Sequence, residues 1–382
     1  MTTELYPSWR QLFGSDSEPE GMETREFRVL HKRGEPFLYL PKMRVAARNA
    51  LNLYPAQRTL ARLARTAMNF SLCFGLPLPR TKVPLATNAP FAKFLKKLTH
   101  SGIMPEFSVL AGNPSAPGRR FIFLVFDSNG TPRWVVKAGT EDSAAALIER
   151  EADFLQRLPT DLSGAPRVAA RFVDGSAKAF AMDYADGDSP RDPEDGRIER
   201  TLSSWVDDSR ELCPAELPVW RQLVDSDADP DLVAHLTTLL RNRTVHPVIA
   251  HGDFTPWNIK ESYKAKGWVV LDWERGERDG MPGWDWFHFV TQSAILGRGQ
   301  RTDEVARTVE ELLSSPTFLH YAALTRIQGV ERLLMLGYLL HHAHVIRPGE
   351  GRAETLALLE VLQSGWNIFQ EERGRPSRGS MV

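Results

Sequence analysis

The feature that most narrows the fold is a pair of short apolar runs, each delivering a carboxylate. Residues 248–260 read VIAHGDFTPWNIK, where a run ending at Ala250 gives way to His251, Gly252 and Asp253, with Asn258 five positions on. GWVVLDWERGE follows, and its run ends at Asp272, nineteen residues beyond Asp253. Short β-branched runs of this kind suit strands, so the pattern sets two carboxylates and an amide at the ends of two strands. Asp and Asn also cap strands and shape turns, and only their order and spacing as a set lifts them above that reading.

The surroundings of this motif suggest an organisation. From about 105 to 185 the texture is that of strands. FIFLVF and RWVVKAG are joined by DSNGTP, whose Asn-Gly is a hairpin signal. SAAALIEREADFLQRL then reads as one helix with Ala145, Ile148, Ala152 and Leu155 as its apolar stripe, and RVAARFVDGSAKAFAMDYADG reads as a second strand pair turned at Asp174-Gly175. ADGDSPRDPEDGR is a loop, after which helical patterns dominate: PDLVAHLTTLLRNR, TRIQGVERLLMLGYLLHHAHVI and AETLALLEVLQSGWNIFQ. The expected architecture is α+β and two-lobed. Residues 105–185 form a small antiparallel β lobe with one helix, and 186–370 a larger, mainly helical lobe. Residues 1–104 are an N-terminal extension and 371–382 a disordered tail. A cleft between the lobes is where a ligand is expected.

Within the extension, EPFLYLPK reads as a strand. AQRTLARLARTAMNFSLCFG and PFAKFLKKLTH read as basic amphipathic helices, the first with Leu60, Leu63, Met68 and Phe70 against Arg58, Arg62 and Arg65. Such helices either pack on the body with solvated basic faces, the commoner case, or touch a membrane surface or polyanionic glycan.

Composition excludes several classes. The 382 residues carry a formal net charge of −1, so no global field argues for nucleic acid. Cys73 and Cys213, the only cysteines, supply neither a disulfide framework nor a metal-ligand spacing, which suits a reducing, cytoplasmic compartment. No apolar run is long enough for a transmembrane span.

Phosphoryl transfer to a hydroxyl needs one base, two oxygen ligands for magnesium and one lysine fixed by an acid. The chain supplies candidates in order. Lys137 ends RWVVKAG, and Glu151 stands fourteen residues later on the following helix as its candidate partner, with Glu149 a rival on a different helix face. Asp253 is the candidate base, and Asn258 and Asp272 are the candidate metal ligands.

HGDFTPWNI followed by VVLDWE resembles the signature of the aminoglycoside phosphotransferase and choline kinase-like family, small-molecule kinases with the protein-kinase-like fold, over roughly residues 105–340. The resemblance implies ATP (or another NTP) and magnesium as cofactors. It makes Asp253 the catalytic base, Asn258 and Asp272 metal ligands, and Lys137 with Glu151 the nucleotide lysine and its helix partner. It makes His251 a packing residue of the loop. Asp285 in GWDWFHF either braces that loop or caps a helix. Glu274 reads as a metal neighbour or a surface carboxylate, and the histidines of HHAH as partly exposed helix surface.

The phosphate loop is the poorest match: SVLAGNPSAPGRRFIFLV sets Gly112, Asn113 and Ser115 between strands, without the G-x-G-x-x-G of protein kinases. FAMDYADG fits the connector that meets adenine, at Asp183 and Tyr184, by position alone. Thr255 stands where protein kinases usually carry a lysine, and only about a dozen residues separate Asp272 from GWDWFHF, too few for an activation loop and peptide platform. The expected acceptor is therefore a hydroxyl of a small molecule, sugar or glycan. The competing readings are a catalytically inactive kinase-fold nucleotide-binding module and an atypical protein kinase.

Overall fold

The structure is a computed structural model, and it describes residues 7–14, 21–32, 34–53, 59–74, 78–111, 120–190, 195–263 and 267–366. The fold is α+β and divides into two compact units. The first comprises residues 1–160, 165–187 and 262–274, and the second 161–164, 188–261 and 275–382.

The first unit is built on one antiparallel sheet. Its strands are β1 (Met22–Lys32), β2 (Glu35–Pro41), β3 (Arg80–Ala86), β4 (Phe107–Ala111), β5 (Arg120–Phe126), β6 (Pro132–Gly139), β7 (Val168–Asp174) and β8 (Ala177–Asp183). Their order is β3-β1-β2-β4-β5-β6-β8-β7, every neighbouring pair antiparallel. Residues 22–86 thus extend the same sheet by three strands.

Both faces of the sheet are covered, because alternate residues of each strand point to opposite sides. On β5, Phe121, Phe123 and Val125 join a cluster with Trp9, Phe13 and the helix α3 (Pro90–Thr99). Leu124 and Phe126 face the other way, toward Ala46 and Ala47 of α1 (Arg44–Ala50) and Leu72 of α2 (Thr59–Phe74). Trp9 sits among Phe27, Tyr39, Phe107 and Phe123 with ring centroids 5.4–6.1 Å away, all edge-on, the geometry aromatic quadrupoles favour.

Helix α4 (Asp142–Arg157) buries Ala145, Ile148, Ala152 and Leu155, its expected stripe. It approaches β6 closely at Gly139, where a Cβ would stand 2.7 Å from that of Ala144. The β5–β6 turn is held by Asp127, whose carboxylate accepts the Asn129 and Thr131 N–H groups at 3.0 and 2.9 Å, while Gly130 supplies the positive φ.

The second unit carries β9 (Val248–Ala250) paired antiparallel with β12 (Glu277–Gly280); β10 (Ile259–Ser262) and β11 (Gly267–Val270) lie between them in sequence. Its helices are α5 (Asp195–Ser203), α6 (Pro218–Val224), α7 (Pro230–Leu240), α8 (Trp284–Gln292), α9 (Thr302–Ser314), α10 (Pro316–Thr325), α11 (Glu331–His341) and α12 (Arg352–Gly365). The apolar pattern over 325–346 is not one helix. Arg326 adopts φ 59°, the helix restarts at Glu331, and His342–Ile346 forms a wider turn. Trp286, Phe287, Phe318, Tyr321, Leu334 and Leu339 are buried in its core.

Two expectations change. His341 and His342 are buried (7% and 3% exposed) rather than partly exposed, because α11 is apolar on every side and packs within the unit. On α2 the exposed residues include Leu63 and Phe70, while Leu72 faces the core. Among the described residues no helix is long and apolar enough to cross a membrane. The expected tail at 371–382 lies outside the described residues.

Candidate functional site

In the first unit, strand alternation sends Lys137 to the face opposite Val136 and Ala138, where α4 runs alongside β6. Its Nζ meets the two Glu151 carboxylate oxygens at 2.6 and 2.7 Å and Asp272 Oδ1 at 2.8 Å. Lys137 and Glu151 are nearly dry, their side chains 8% and 1% exposed, whereas Asp272 is 36% exposed. Glu149 turns elsewhere and pairs with Lys178 at 2.9 Å. Burial alone would lower the Lys137 pKa, but the charges of Asp272 and Glu151 outweigh it and hold the amine above its ordinary value. Burial, helped by Asp272, pushes Glu151 up against the pull of Lys137.

Asp272 follows β11 in a left-handed conformation, φ 71°, a region that Asp and Asn tolerate better than most non-glycine residues. Trp273 fixes that bend. Its N–H donates to Glu151 Oε1 at 3.1 Å, its indole N–H donates to the Val270 carbonyl at 2.7 Å, and its ring stacks on Phe154 of α4 at 5.8 Å. Glu274 forms an ion pair with Arg120 at the start of β5.

The second unit holds Asp253 and Asn258. Asp253 follows β9 on a loop anchored from below by the buried Phe254, whose ring lies 5.5 Å from both Trp205 and Phe289. Asp285 of α8 accepts the backbone N–H groups of His251 at 2.7 Å and Gly252 at 2.9 Å. It makes no cap on its own helix, so it braces the loop. His251 is wholly buried, and its Nδ1 accepts the Asp253 N–H at 3.1 Å. Gly252 has φ 76°, and a Cβ there would lie 2.7 Å from the Arg275 carbonyl oxygen, so this turn requires glycine.

The Asp253 carboxylate has two hydrogen-bond partners, and Arg275 Nη1 lies 3.9 Å from Oδ1. Oδ2 accepts from Asn258 Nδ2 at 2.9 Å, and Oδ1 lies 3.0 Å from His288 Nε2. Asn258 Nδ2 also donates to the Asp253 carbonyl at 2.9 Å, which orients its amide oxygen away from that contact as an available ligand atom. Behind His288, Tyr338 stands with its hydroxyl 3.0 Å from Nδ1. An ionised Asp253 calls for a proton on His288 Nε2, and in the neutral ring Nδ1 then accepts from Tyr338. Burial would raise the Asp253 pKa, but the His288 hydrogen bond, with the charges of His288, Arg275 and His251, prevails and holds it below the ordinary carboxylate value. Burial pushes the Asp285 carboxyl up, only partly opposed by His251 and the two N–H donors.

The remaining expected residues stand as follows. Asp183 is exposed at the end of β8, and Tyr184 is half-buried, with its N–H donating to the Arg133 carbonyl at 3.0 Å and its hydroxyl 3.1 Å from Asn52 Nδ2. Gly112, Asn113 and Ser115 lie outside the described residues. Sequence reasoning missed His288 and Trp273. The first had a signal, since it stands three residues after Asp285 and so shares its helix face; the second lay inside the quoted VVLDWE.

Each unit offers an oxygen donor of the kind a hard cation takes. Asp272 offers a half-exposed carboxylate and Asn258 an amide oxygen. Among the described residues no group of three or more His, Cys, Asp or Glu side chains is placed to hold a metal ion.

No family model and no curated protein matches the chain. Solved structures do resemble it. An aminoglycoside phosphotransferase from Streptomyces rimosus, also solved with ADP and streptomycin, is 17% identical with a TM-score of 0.41 over 66% of this chain and 98% of its own. An ethanolamine kinase from Plasmodium vivax is 11% identical with a TM-score of 0.47, covering 87% and 95%. A choline kinase from Cryptosporidium parvum is 9% identical with a TM-score of 0.42, covering 74% and 96%. All three are small-molecule kinases.

Proposed function

We propose that the protein is an ATP- and magnesium-dependent phosphotransferase that moves the γ-phosphoryl group to a hydroxyl of a small molecule, sugar or glycan. The observation that carries this reading is the lysine arrangement in the first unit. A buried ammonium is gripped by Glu151 through both oxygens and touched by Asp272, so its position is fixed and its charge is assured. A lysine held this way is suited to the non-transferred phosphates of a nucleotide.

Asp253 takes the part of the base. Its carboxylate is held ionised, oriented by Asn258 and His288, and 29% exposed, so an acceptor hydroxyl can reach it and lose its proton there. Asp272 and the amide oxygen of Asn258 would hold magnesium, which supplies charge neutralisation on the phosphate oxygens when bound. Asp183 and Tyr184 are proposed to meet the adenine through backbone groups, and the 112–118 segment to cover the phosphates.

The test is ATP consumption by the purified protein over a panel of sugars, aminoglycosides and amino alcohols, with Asp253→Asn as control. Acceptor-dependent turnover that vanishes in Asp253→Asn, with nucleotide binding retained, is the expected result. Nucleotide binding without turnover on any acceptor would replace the reading with a binding module. Transfer to protein but not to small molecules would replace it with a protein kinase.

A further inference from the structure

The residues between 42 and 74 differ in charge from the rest of the chain. Lys42, Arg44, Arg48, Arg58, Arg62 and Arg65 give six cations, and the segment contains no Asp or Glu, although the whole chain has a net charge of −1. Helix α2 lies in this segment and has three faces. Leu72 is buried and Met68 packs partly against the sheet, so one face is anchored. A second face lines a pocket of about 430 Å³ shared with α1, whose polar walls are Arg48, Asn49, Asn52, Arg65, Thr66 and Asn69, with no carboxylate among them.

The third face is apolar and faces water. Leu63, Phe70 and Phe74 are 61%, 61% and 67% exposed, and their spacing of seven and eleven residues sets them on one helical stripe. The two phenylalanine rings lie 4.2 Å apart, and Val45 on α1 is 53% exposed. Helix α3 shows that a basic amphipathic sequence does not by itself produce such a face. There Phe91, Phe94, Leu95 and Leu98 are all buried and only the polar side remains outside.

We propose that the α1–α2 face docks on an anionic phospholipid surface. Leu63, Phe70 and Phe74 enter the boundary between headgroups and acyl chains, and the arginine-lined pocket receives a lipid phosphate. Guanidinium groups pair with phosphate in bidentate geometry, and a basic helix with an exposed aromatic stripe is built to lie in that interface. Charge complementarity selects the occupant: α1 and α2 contain no Asp or Glu, and Arg48 and Arg65 line the pocket between them, which suits a surface of negative charge better than an ordinary protein surface of mixed sign.

The test is co-sedimentation of the full-length protein with phosphatidylcholine vesicles with and without phosphatidylglycerol. Binding is expected only with the anionic lipid, weakening as salt rises. The variants Phe70→Ser/Phe74→Ser and Arg48→Gln/Arg65→Gln should each lower the vesicle partition by roughly tenfold. The altered side chains are largely at the surface, so the urea unfolding midpoint should stay in place, and a variant whose midpoint moves is replaced by the single Phe74→Ser. No binding to anionic vesicles, or binding that both double variants leave intact, overturns the proposal. Binding that inorganic phosphate displaces and the phenylalanine changes do not touch assigns the pocket to a soluble anion and also overturns it. So does a lipid-free dimer, seen by light scattering, that Phe70→Ser/Phe74→Ser abolishes.

Discussion

Lys137 and Asp253 are both charged groups with little water around them, yet their neighbourhoods hold that charge in different ways. Lys137 is matched by full countercharges, Glu151 and Asp272, within 2.8 Å, and it is nearly sealed. Asp253 is held at hydrogen-bond distance by an amide and an imidazole, with the Arg275 guanidinium farther off at 3.9 Å, and stays part-exposed. The first arrangement fixes a position and has little reason to change protonation. The second keeps a carboxylate ionised while leaving it one open side, which is what proton acceptance requires. The contrast separates a part that holds from a part that reacts, and it can be broken at either end.

The largest effect is expected at the reacting end. Asp253→Asn preserves the Asn258 and His288 neighbours but removes the basic oxygen, so turnover should fall by about a thousandfold or more, within the range positioned bases supply. The nucleotide dissociation constant should change by less than about threefold, because the loss falls on chemistry and not on binding. A rise in the nucleotide dissociation constant matching the fall in turnover would show that Asp253 holds the nucleotide instead.

At the holding end the effect should appear in stability as well as binding. Lys137→Met leaves Glu151 buried with only the Trp273 N–H, and Glu151→Leu leaves Lys137 with Asp272 alone. Removing one member of a buried pair costs about 3 kcal/mol or more, whereas replacing both with apolar groups is far cheaper. Urea unfolding of the double variant Lys137→Met/Glu151→Leu should therefore lie closer to the parent than either single variant does, while all three lose nucleotide affinity. Additive losses would mean that the pair is not a closed unit.

These two regions were unequally legible in the sequence. The strand and helix texture was readable wherever one periodicity dominated, as in β5, β6 and α4, because an alternating or 3.6-residue apolar pattern has only one way to bury itself against a neighbouring layer. The pairing of Lys137 with Glu151 could be reached from spacing, since a strand end and the next helix lie within reach. The left-handed turn at Asp272 could not, because nothing in VVLDWE announces a positive φ; it follows from Trp273 locking onto Val270 and Phe154. His288 escaped because a histidine in an aromatic helix reads as core until Asp253 is known to face it. Of the three extra strands of the sheet, β2 was legible in EPFLYLPK, whereas β1 and β3 escaped: residues 22–32 and 80–86 alternate charged and apolar residues unevenly, and β1 pairs with β3 across nearly fifty intervening residues.

Acid should separate the two regions further. Burial lowers the His342 pKa to about 3, with the charges of His288 and Arg275 adding to it, and lowers that of His341 to about 4 together with Arg275. Both values lie below the ordinary histidine value, so the unfolded chain binds more protons between the two. The stability contributed is full above about pH 6.5 and is lost as pH falls toward 4, by a few kcal/mol if the second unit opens as one. Glu151 has the opposite sign, since its pKa is raised and acid does not penalise its folded form. The contribution of Lys137, also raised, disappears only as pH climbs past its ordinary value and through the folded one. Hydrogen-exchange protection factors, corrected for the slower intrinsic exchange in acid, should therefore fall first in α8 and α11 at pH 5 compared with pH 7 and stay high in β6 and α4. A uniform fall in protection would contradict this difference.

The smallest effect tests how Asp253 is tuned. His288→Asn keeps a hydrogen-bond donor near Oδ1 but removes the imidazole whose hydrogen bond most opposes burial, leaving burial as the main influence on the carboxyl. The Asp253 pKa must then rise, so the acid limb of the pH profile of kcat should move to higher pH. At alkaline pH, where the base is ionised in both proteins, the variant should lose only about tenfold to a hundredfold through looser positioning. Tyr338→Phe removes the hydroxyl behind the ring and should shift the limb in the same direction by less, because it acts through His288. A purely structural role for His288 would lower kcat equally at every pH and leave the limb where it was. The pH profile therefore distinguishes a residue that sets the charge state of Asp253 from one that merely fills the space beside it.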